Sequence, residues 1–177
     1  MAHLEGARLD DAHLEGAWLV RAHLEDAQLG EAHLEGAWLV RVHLEGARLN
    51  MAHLEGAQLG EAHLEGASLD AAHLAGAELH GALLDDASLD GADLSAAKGL
   101  SPFQHAAAWG DAATALPSGM GRPANERWLA ECRHEDLASE ARIARIKAWR
   151  ARRDYWLEEA RKRREAEAAA RRNPLPG

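Results

Sequence analysis

A single cysteine, Cys132, rules out a disulfide within the chain and suits a reducing compartment. No apolar run approaches the roughly 18 residues that a membrane-crossing helix needs. No secretory leader stands ahead of the repetitive sequence, which is already under way at Ala2. The expected location is therefore the cytoplasm. No serine, cysteine or lysine nucleophile stands out beside the plentiful histidines and carboxylates, and no cleft is foreseeable, so the sequence points away from an enzyme and toward no cofactor. From about Asn125 to Arg172 there is neither glycine nor proline, and this run rich in alanine, glutamate and arginine is expected to be helical, either throughout or with one break near His134 to Ser139.

What is abundant is leucine at a fixed interval. It occupies every fifth position from Leu4 to Leu94, nineteen times in succession. Two residues before each of them, from Ala2 to Ala92, and again at Ala97, stands an alanine, with Val42 the one substitution. A helix at 3.6 residues per turn would smear these leucines around its circumference, and a strand would throw alternate ones to opposite faces. Another backbone has to bring each one inward. Self-similarity at a short fixed period marks a solenoid, in which no repeat buries its own apolar residue but stacked neighbours do so together. Glycine recurs two residues after leucine, at Gly6, Gly16, Gly36, Gly46, Gly56, Gly66, Gly76, Gly81 and Gly91. That is where a type II turn needs it. Alanine at the second inward position fits a narrow interior that a larger side chain would overpack.

The units Ala-His-Leu-Glu-Gly, Ala-Arg-Leu-Asp-Asp, Ala-Trp-Leu-Val-Arg and Ala-Asp-Leu-Ser-Ala resemble the A(D/N)LxX repeats of pentapeptide-repeat proteins. The resemblance implies an all-β fold, a right-handed quadrilateral β-helix of about five coils over residues 1–98, with leucine and alanine inside. It also implies a bacterial source. The best understood members of that family are acidic rods that dimerise through their C-terminal ends and imitate duplex DNA on DNA gyrase. A protein-interaction or assembly scaffold is the first functional expectation, and modulation of gyrase the second.

Charge divides the chain. Residues 1–100 carry 18 acidic and 5 basic side chains, whereas residues 101–177 carry 11 acidic and 15 basic. The net −13 of the first part favours a partner with a basic surface and disfavours direct binding of nucleic acid by the repeats. With four repeats per coil, His3, His23, His43 and His63 share one face, and Glu5, Glu25, Glu45 and Glu65 follow them. His13, His33, His53 and His73 share the face two away, with Glu15, Glu35 and Glu55. These residues form the candidate interaction surface. Stacked histidines beside carboxylates could share Zn²⁺ or Ni²⁺, but nothing in the sequence supplies the closed geometry of a structural metal site, and none is assigned. Glutamate neighbours favour charged histidine, which makes a pH response the intermediate reading.

The period breaks at Lys98-Gly99. Ser101-Pro102-Phe103-Gln104 reads as a capped helix start, with residues 99–112 expected to close the rod by laying Phe103 or Trp109 over the last leucines. Residues 113–124 read as a linker, 125–172 as a basic amphipathic helical segment and 173–177 as a frayed end. In that segment Ile143, Ile146, Trp149, Trp156, Leu157 and Ala160 form an apolar stripe, which is expected to pack on the rod or to build a homo-oligomer. Contact of this tryptophan-bearing basic helix with an anionic membrane, or with nucleic acid phosphates, is the less favoured reading.

Overall fold

The computed structural model describes residues 2–123 and 139–172. Its first part is built from one local event repeated. The amide of Ala7 donates to the carbonyl of Leu4 at 3.0 Å, and the same turn recurs down to Ala97 and Leu94 at 2.9 Å. Every one of these turns but the last, at Ser95-Ala96, holds a left-handed residue at its third position, and Gly6 supplies one at φ 64°. Up to Asp86, where the sequence offers no glycine the chain adopts that conformation anyway, as at Asp11, Arg41 and Met51 with φ 56°, 56° and 58°. An L-residue held there costs about 1–2 kcal/mol. The surrounding stack therefore enforces the turn.

Between turns, the residue before each leucine meets its counterpart 20 positions on. His3 pairs with His23, Arg8 with Gln28, His13 with His33 and Trp18 with Trp38, all parallel. The amide of His23 donates to Ala2 at 2.9 Å, and those of Leu4 and Gly6 donate to His23 and Glu25, both at 2.8 Å. Four such contacts per 20 residues knit successive levels into a column of stacked turns.

The expected all-β architecture is corrected by this geometry. Among the described residues there is no β-strand and no sheet, only isolated parallel bridges, and the regular elements are two helices, α1 (Pro102–Ala107) and α2 (Ser139–Arg172). The right-handed quadrilateral β-helix, and the solenoid description that went with it, do not stand. The physical reason lies in the period: a four-residue turn inside a five-residue repeat leaves one bridging residue per side, too few to propagate a strand.

The core follows the leucine-alanine pattern. From Leu19 to Leu94 every leucine of the period is buried, as is every paired alanine from Ala22 to Ala92, and Val42 is accommodated fully buried. Leu4, Leu9 and Leu14 are partly exposed at the first level.

At the other end Ser101 caps α1, accepting from the Gln104 amide while Gln104 accepts from the Ser101 amide at 2.8 Å. The Gln104 side chain also donates to the carbonyls of Leu79 and Ala82, both at 2.8 Å, pinning α1 to the last full turns. Of the two residues expected to cover the last leucines, Phe103 is 88% exposed and Trp109 is half-buried, while Leu100 and Ala108 are buried in the core. After α1 the chain resumes the column: Trp109 bridges Ser88 and Ala115 bridges Asp93. Buried Asp111 accepts from the amides of Gly91, Ala113 and Thr114, all at 3.0 Å. The expected linker is partly structural, since Leu116 and Met120 pack against the core. Residues 124–138 and 173–177 lie outside the described residues, and with them Cys132 and part of the expected helical segment.

Candidate interaction faces

Stacking by 20 residues brings both sets of histidines together. Rings of His3, His23, His43 and His63 lie nearly parallel with centroids 5.0, 4.7 and 4.8 Å apart. Those of His13, His33, His53 and His73 do the same at 4.9, 4.7 and 4.8 Å. Within a repeat, histidine and glutamate lie on the same side of the turn, so the imidazole Nδ1 faces the carboxylate. The distances are 3.1 Å for His3–Glu5, 2.9 Å for His13–Glu15, and 3.0 Å for both His23–Glu25 and His33–Glu35. His43–Glu45 is longer at 3.4 Å and His53–Glu55 longer still at 3.6 Å. A carboxylate only accepts, so Nδ1 carries the proton in the close pairs. The hydrogen bond to Glu35 holds the His33 pKa above its usual value, and reciprocally holds Glu35 below the usual carboxylate range. The bond to His13 lowers Glu15 likewise. His43 is raised by its bond to Glu45, against the opposing effects of burial and of the Arg163 charge.

The two rows differ in what lies over them. Helix α2 packs along the first. Ala160 is buried, and Leu157 lies against the bare backbone of Gly46, where an added Cβ would stand 2.7 Å from its Cδ2. The Trp156 indole donates to Asp86 at 3.1 Å. Arg163 reaches into the histidine stack: Nη1 donates to His63 Nδ1 at 3.2 Å, and Nη2 lies 3.3 Å from Glu45 and 3.7 Å from Glu65. His63 thus accepts at the nitrogen with which the close pairs donate. Among the expected oligomerisation residues, Trp156, Leu157 and Ala160 are turned onto the column, whereas the side chains of Ile143, Ile146 and Trp149 lie outside the described residues. Beside α2 at the opposite end of this face, Glu5, Gly6, Glu25, Asp26, Leu157, Glu158 and Arg161 line an open cleft of about 450 Å³.

The second row stays open to solvent, with the side chains of Glu15, Glu35 and Glu55 48%, 37% and 39% exposed. The reading of all the ladder histidines and glutamates as one outer surface therefore needs revision. His13, His33, His53, His73, Glu15, Glu35 and Glu55 belong to an accessible face. His23, Glu25, Glu45 and Glu65 belong to a covered one. On a further face Trp18 stacks on Trp38 at 5.1 Å, with Trp18 72% exposed. Arg163 and Asp86 were not singled out by the sequence: charge alone marks them no differently from the other charged residues of their segments.

Three groups could be considered for a metal ion, namely His23 with Glu25 and His43, His33 with Glu35 and His53, and His43 with Glu45 and His63, each with ligand atoms within 4.8 Å of one another. The stacked rings direct their in-plane lone pairs side by side, and two Zn–N bonds of about 2.0–2.1 Å span at most about 4.2 Å. The ring centroids within these groups stand 4.7–4.8 Å apart, so the stacked rings would have to turn to share one ion.

Period, inward leucine and repeated turn together define a repeat protein whose five-residue unit stacks at every fourth copy. The family described as Pentapeptide repeats matches residues 1–26, 27–66 and 62–98, in eight copies. The chain belongs to that family. Among solved structures it is similar to HetL, a pentapeptide repeat protein involved in heterocyst differentiation regulation from the cyanobacterium Nostoc sp. strain PCC 7120. That match has 27% identity over 73% of this chain and 57% of the other, with a TM-score of 0.44. It is also similar to the pentapeptide repeat protein Rfr23 from the cyanobacterium Cyanothece 51142, at 33% identity over 56% and 64%, with a TM-score of 0.46. Full-length QnrB1, a plasmid-mediated fluoroquinolone resistance protein, matches at 17% identity over 66% and 73%, with a TM-score of 0.30. The chain thus spans 57% of HetL and 64% of Rfr23. None of the curated proteins matches it. No helix among the described residues is long and apolar enough to cross a membrane.

Proposed function

We propose that this protein is a non-catalytic protein-interaction module whose column of stacked turns holds a partner with a basic surface. The observation that carries this reading is the open second row, where Glu15, Glu35 and Glu55 repeat at one-level spacing on an accessible face. A rigid backbone sets their separation, so a complementary row of cations loses little entropy on docking. The net −13 of residues 1–100 adds long-range attraction and gives association that weakens with salt. The test is affinity purification with the intact chain and with Glu15→Gln/Glu35→Gln/Glu55→Gln. The reading expects specific basic partners that the triple variant fails to hold, and partners retained equally by both would contradict it.

Modulation of DNA gyrase as a DNA mimic is the second reading, supported by the same acidic surface. It has less behind it, since a basic helix lies over one of the two carboxylate rows that such a mimic would present. Supercoiling by purified gyrase with and without the protein decides between the two. A divalent-metal role has the least support, for the reason of ring geometry given above.

A further inference from the structure

The run Glu-Gly-Ala-Trp-Leu-Val-Arg occurs twice, at 15–21 and 35–41, one level apart. Because the chain advances by one face every five residues, each copy of the run lays a carboxylate at one corner, an indole on the face and a guanidinium at the next corner. Trp18 and Trp38 stack at 5.1 Å and stay 72% and 46% exposed, with Val20 and Val40 partly exposed beside them. The corner on the carboxylate side is bare, since a Cβ added at Gly16 or Gly36 would meet no atom within 4 Å. Helix α2 packs elsewhere, on the Gly46 corner and Asp86. Stacked tryptophans left open form the kind of apolar patch that marks an interaction site. The order of charges across this face says what fits it. A second copy turned about a two-fold axis parallel to the column keeps its levels and exchanges its sides. Trp18 then meets Trp18 and Trp38 meets Trp38, while Glu15 and Glu35 of each copy meet Arg21 and Arg41 of the other. An axis running across the column would keep the sides instead and set carboxylate against carboxylate. One level further on, Glu55 faces the other copy's Glu61, whose charge is offset by Arg41 at 2.7 Å. Below that, Glu78 faces its own counterpart, each with Lys98 beside it at 3.7 Å.

We propose that the Trp18–Trp38 face is the interface of a side-by-side, parallel homodimer, with the indoles on the axis and contacts of Glu15 with Arg21 and of Glu35 with Arg41 on either side. This goes beyond the reading of a basic partner, because it needs the tryptophans and arginines that the other reading does not use. The indoles supply the attraction. Exposed ion pairs add little to it and serve instead to fix the register and direction of the two columns. At the exposures seen, and with about 150–250 Å² for a tryptophan side chain, the two indoles offer about 180–300 Å² per copy. With the flanking valines and charged arms, the total over both copies comes near the roughly 1,000 Å² that a specific interface needs. The dimer is therefore weak, with a dissociation constant on the order of 10 μM. Glu15 and Glu35 serve both readings, so a basic partner and a second copy compete for them.

The experiment is sedimentation velocity of the full chain at about pH 7.5, with loading from about 1 to about 200 μM to bracket that constant. The native chain is expected to pass from monomer to dimer across the range. Trp18→Ser/Trp38→Ser is expected to raise the dissociation constant at least tenfold. Arg21→Glu/Arg41→Glu gives a face with acid on both sides, and Glu15→Arg/Glu35→Arg gives one with base on both sides. Each alone is expected to stay monomeric, and an equimolar mixture of the two to dimerise, because each then meets its opposite. None of these side chains belongs to the buried core, and Glu31 and Glu61 already hold the turn position of Arg21 and Arg41 at φ 56° and 55°. A native chain that stays monomeric overturns the proposal. So does a dimer that keeps its strength in the tryptophan variant, or a mixture of the two charge variants that stays monomeric.

Discussion

Two glycines of the same turn type separate the backbone's demand from the contact made by α2. Gly16 and Gly46 both hold the left-handed third position, at φ 63° and 67°. A Cβ at Gly16 would meet nothing within 4 Å, whereas one at Gly46 would stand 2.7 Å from Cγ and Cδ2 of Leu157. Gly16→Ala therefore reports backbone strain alone. That is about 1–2 kcal/mol, partly offset by about 0.4–1 kcal/mol from the stiffer unfolded chain, for a net loss near 1 kcal/mol. Gly46→Ala carries the same strain and must also push Leu157 away. A fully buried leucine contributes about 1.5–3 kcal/mol; Leu157 is half-buried, so about 1 kcal/mol more is expected. The assay is urea denaturation of both variants together with amide hydrogen exchange of α2. Gly46→Ala should lose about 2 kcal/mol and speed exchange throughout the middle of α2, while Gly16→Ala leaves α2 protection at the native level. Equal α2 protection in the two variants would refute the packing of Leu157 on the Gly46 turn.

Other consequences follow from the same geometry. Leu49→Ala, at a fully buried position, should cost about 2–5 kcal/mol, against less than about 1 kcal/mol for His53→Ala on the open row; denaturation that ranks them equally would contradict the inward assignment. Met51→Gly should raise stability by about 0.5–1 kcal/mol, because glycine relieves a left-handed methionine at φ 58°, and a lower denaturation midpoint would count against it. The histidine–glutamate pairs should give a stability maximum in mild acid. The raised His33 and His43 contribute fully below the unfolded value of 6.5 and lose this as pH rises through their folded values. The lowered Glu15 and Glu35 contribute fully above 4.5 and lose this as pH falls through theirs. Melting temperatures from pH 4 to 8 for the native chain and His33→Gln test this, with a flatter alkaline limb expected in the variant.

Much of the column was legible because its information is local and periodic. Leucine and alanine at period five say which side chains face inward, and multiplying that period by four puts His33 on His53 and Trp18 on Trp38. The same reasoning overreached on strands: periodicity identifies inward positions but not how many residues remain extended between turns, and one bridging residue makes no sheet. Corner glycines were read correctly as turn residues, but Arg41 and Met51 carry no such signal, since their left-handed conformation is imposed by the levels above and below. The capping of α1 by Ser101 and Gln104 was legible from four residues, whereas the exposure of Phe103 depends on how α1 lies against the column. Least legible was the covering of the first row. Arg163 and His63 are 100 residues apart, and the sequence contained two histidine–glutamate rows that differ only by Ala75 in place of a fourth glutamate, with nothing local to say which one a basic helix would choose.

Carboxylate footprinting tests that choice most directly. The intact protein is labelled with a water-soluble carbodiimide and glycine ethyl ester, and modification is read by mass spectrometry at each glutamate. The side chains of Glu15, Glu35 and Glu55 are 48%, 37% and 39% exposed, and those of Glu25, Glu45 and Glu65 are 2%, 1% and 4% exposed. The account predicts ready labelling of the first three, protection of the other three, and loss of that protection in Arg163→Ala. Equal labelling of both rows in the native chain would contradict it.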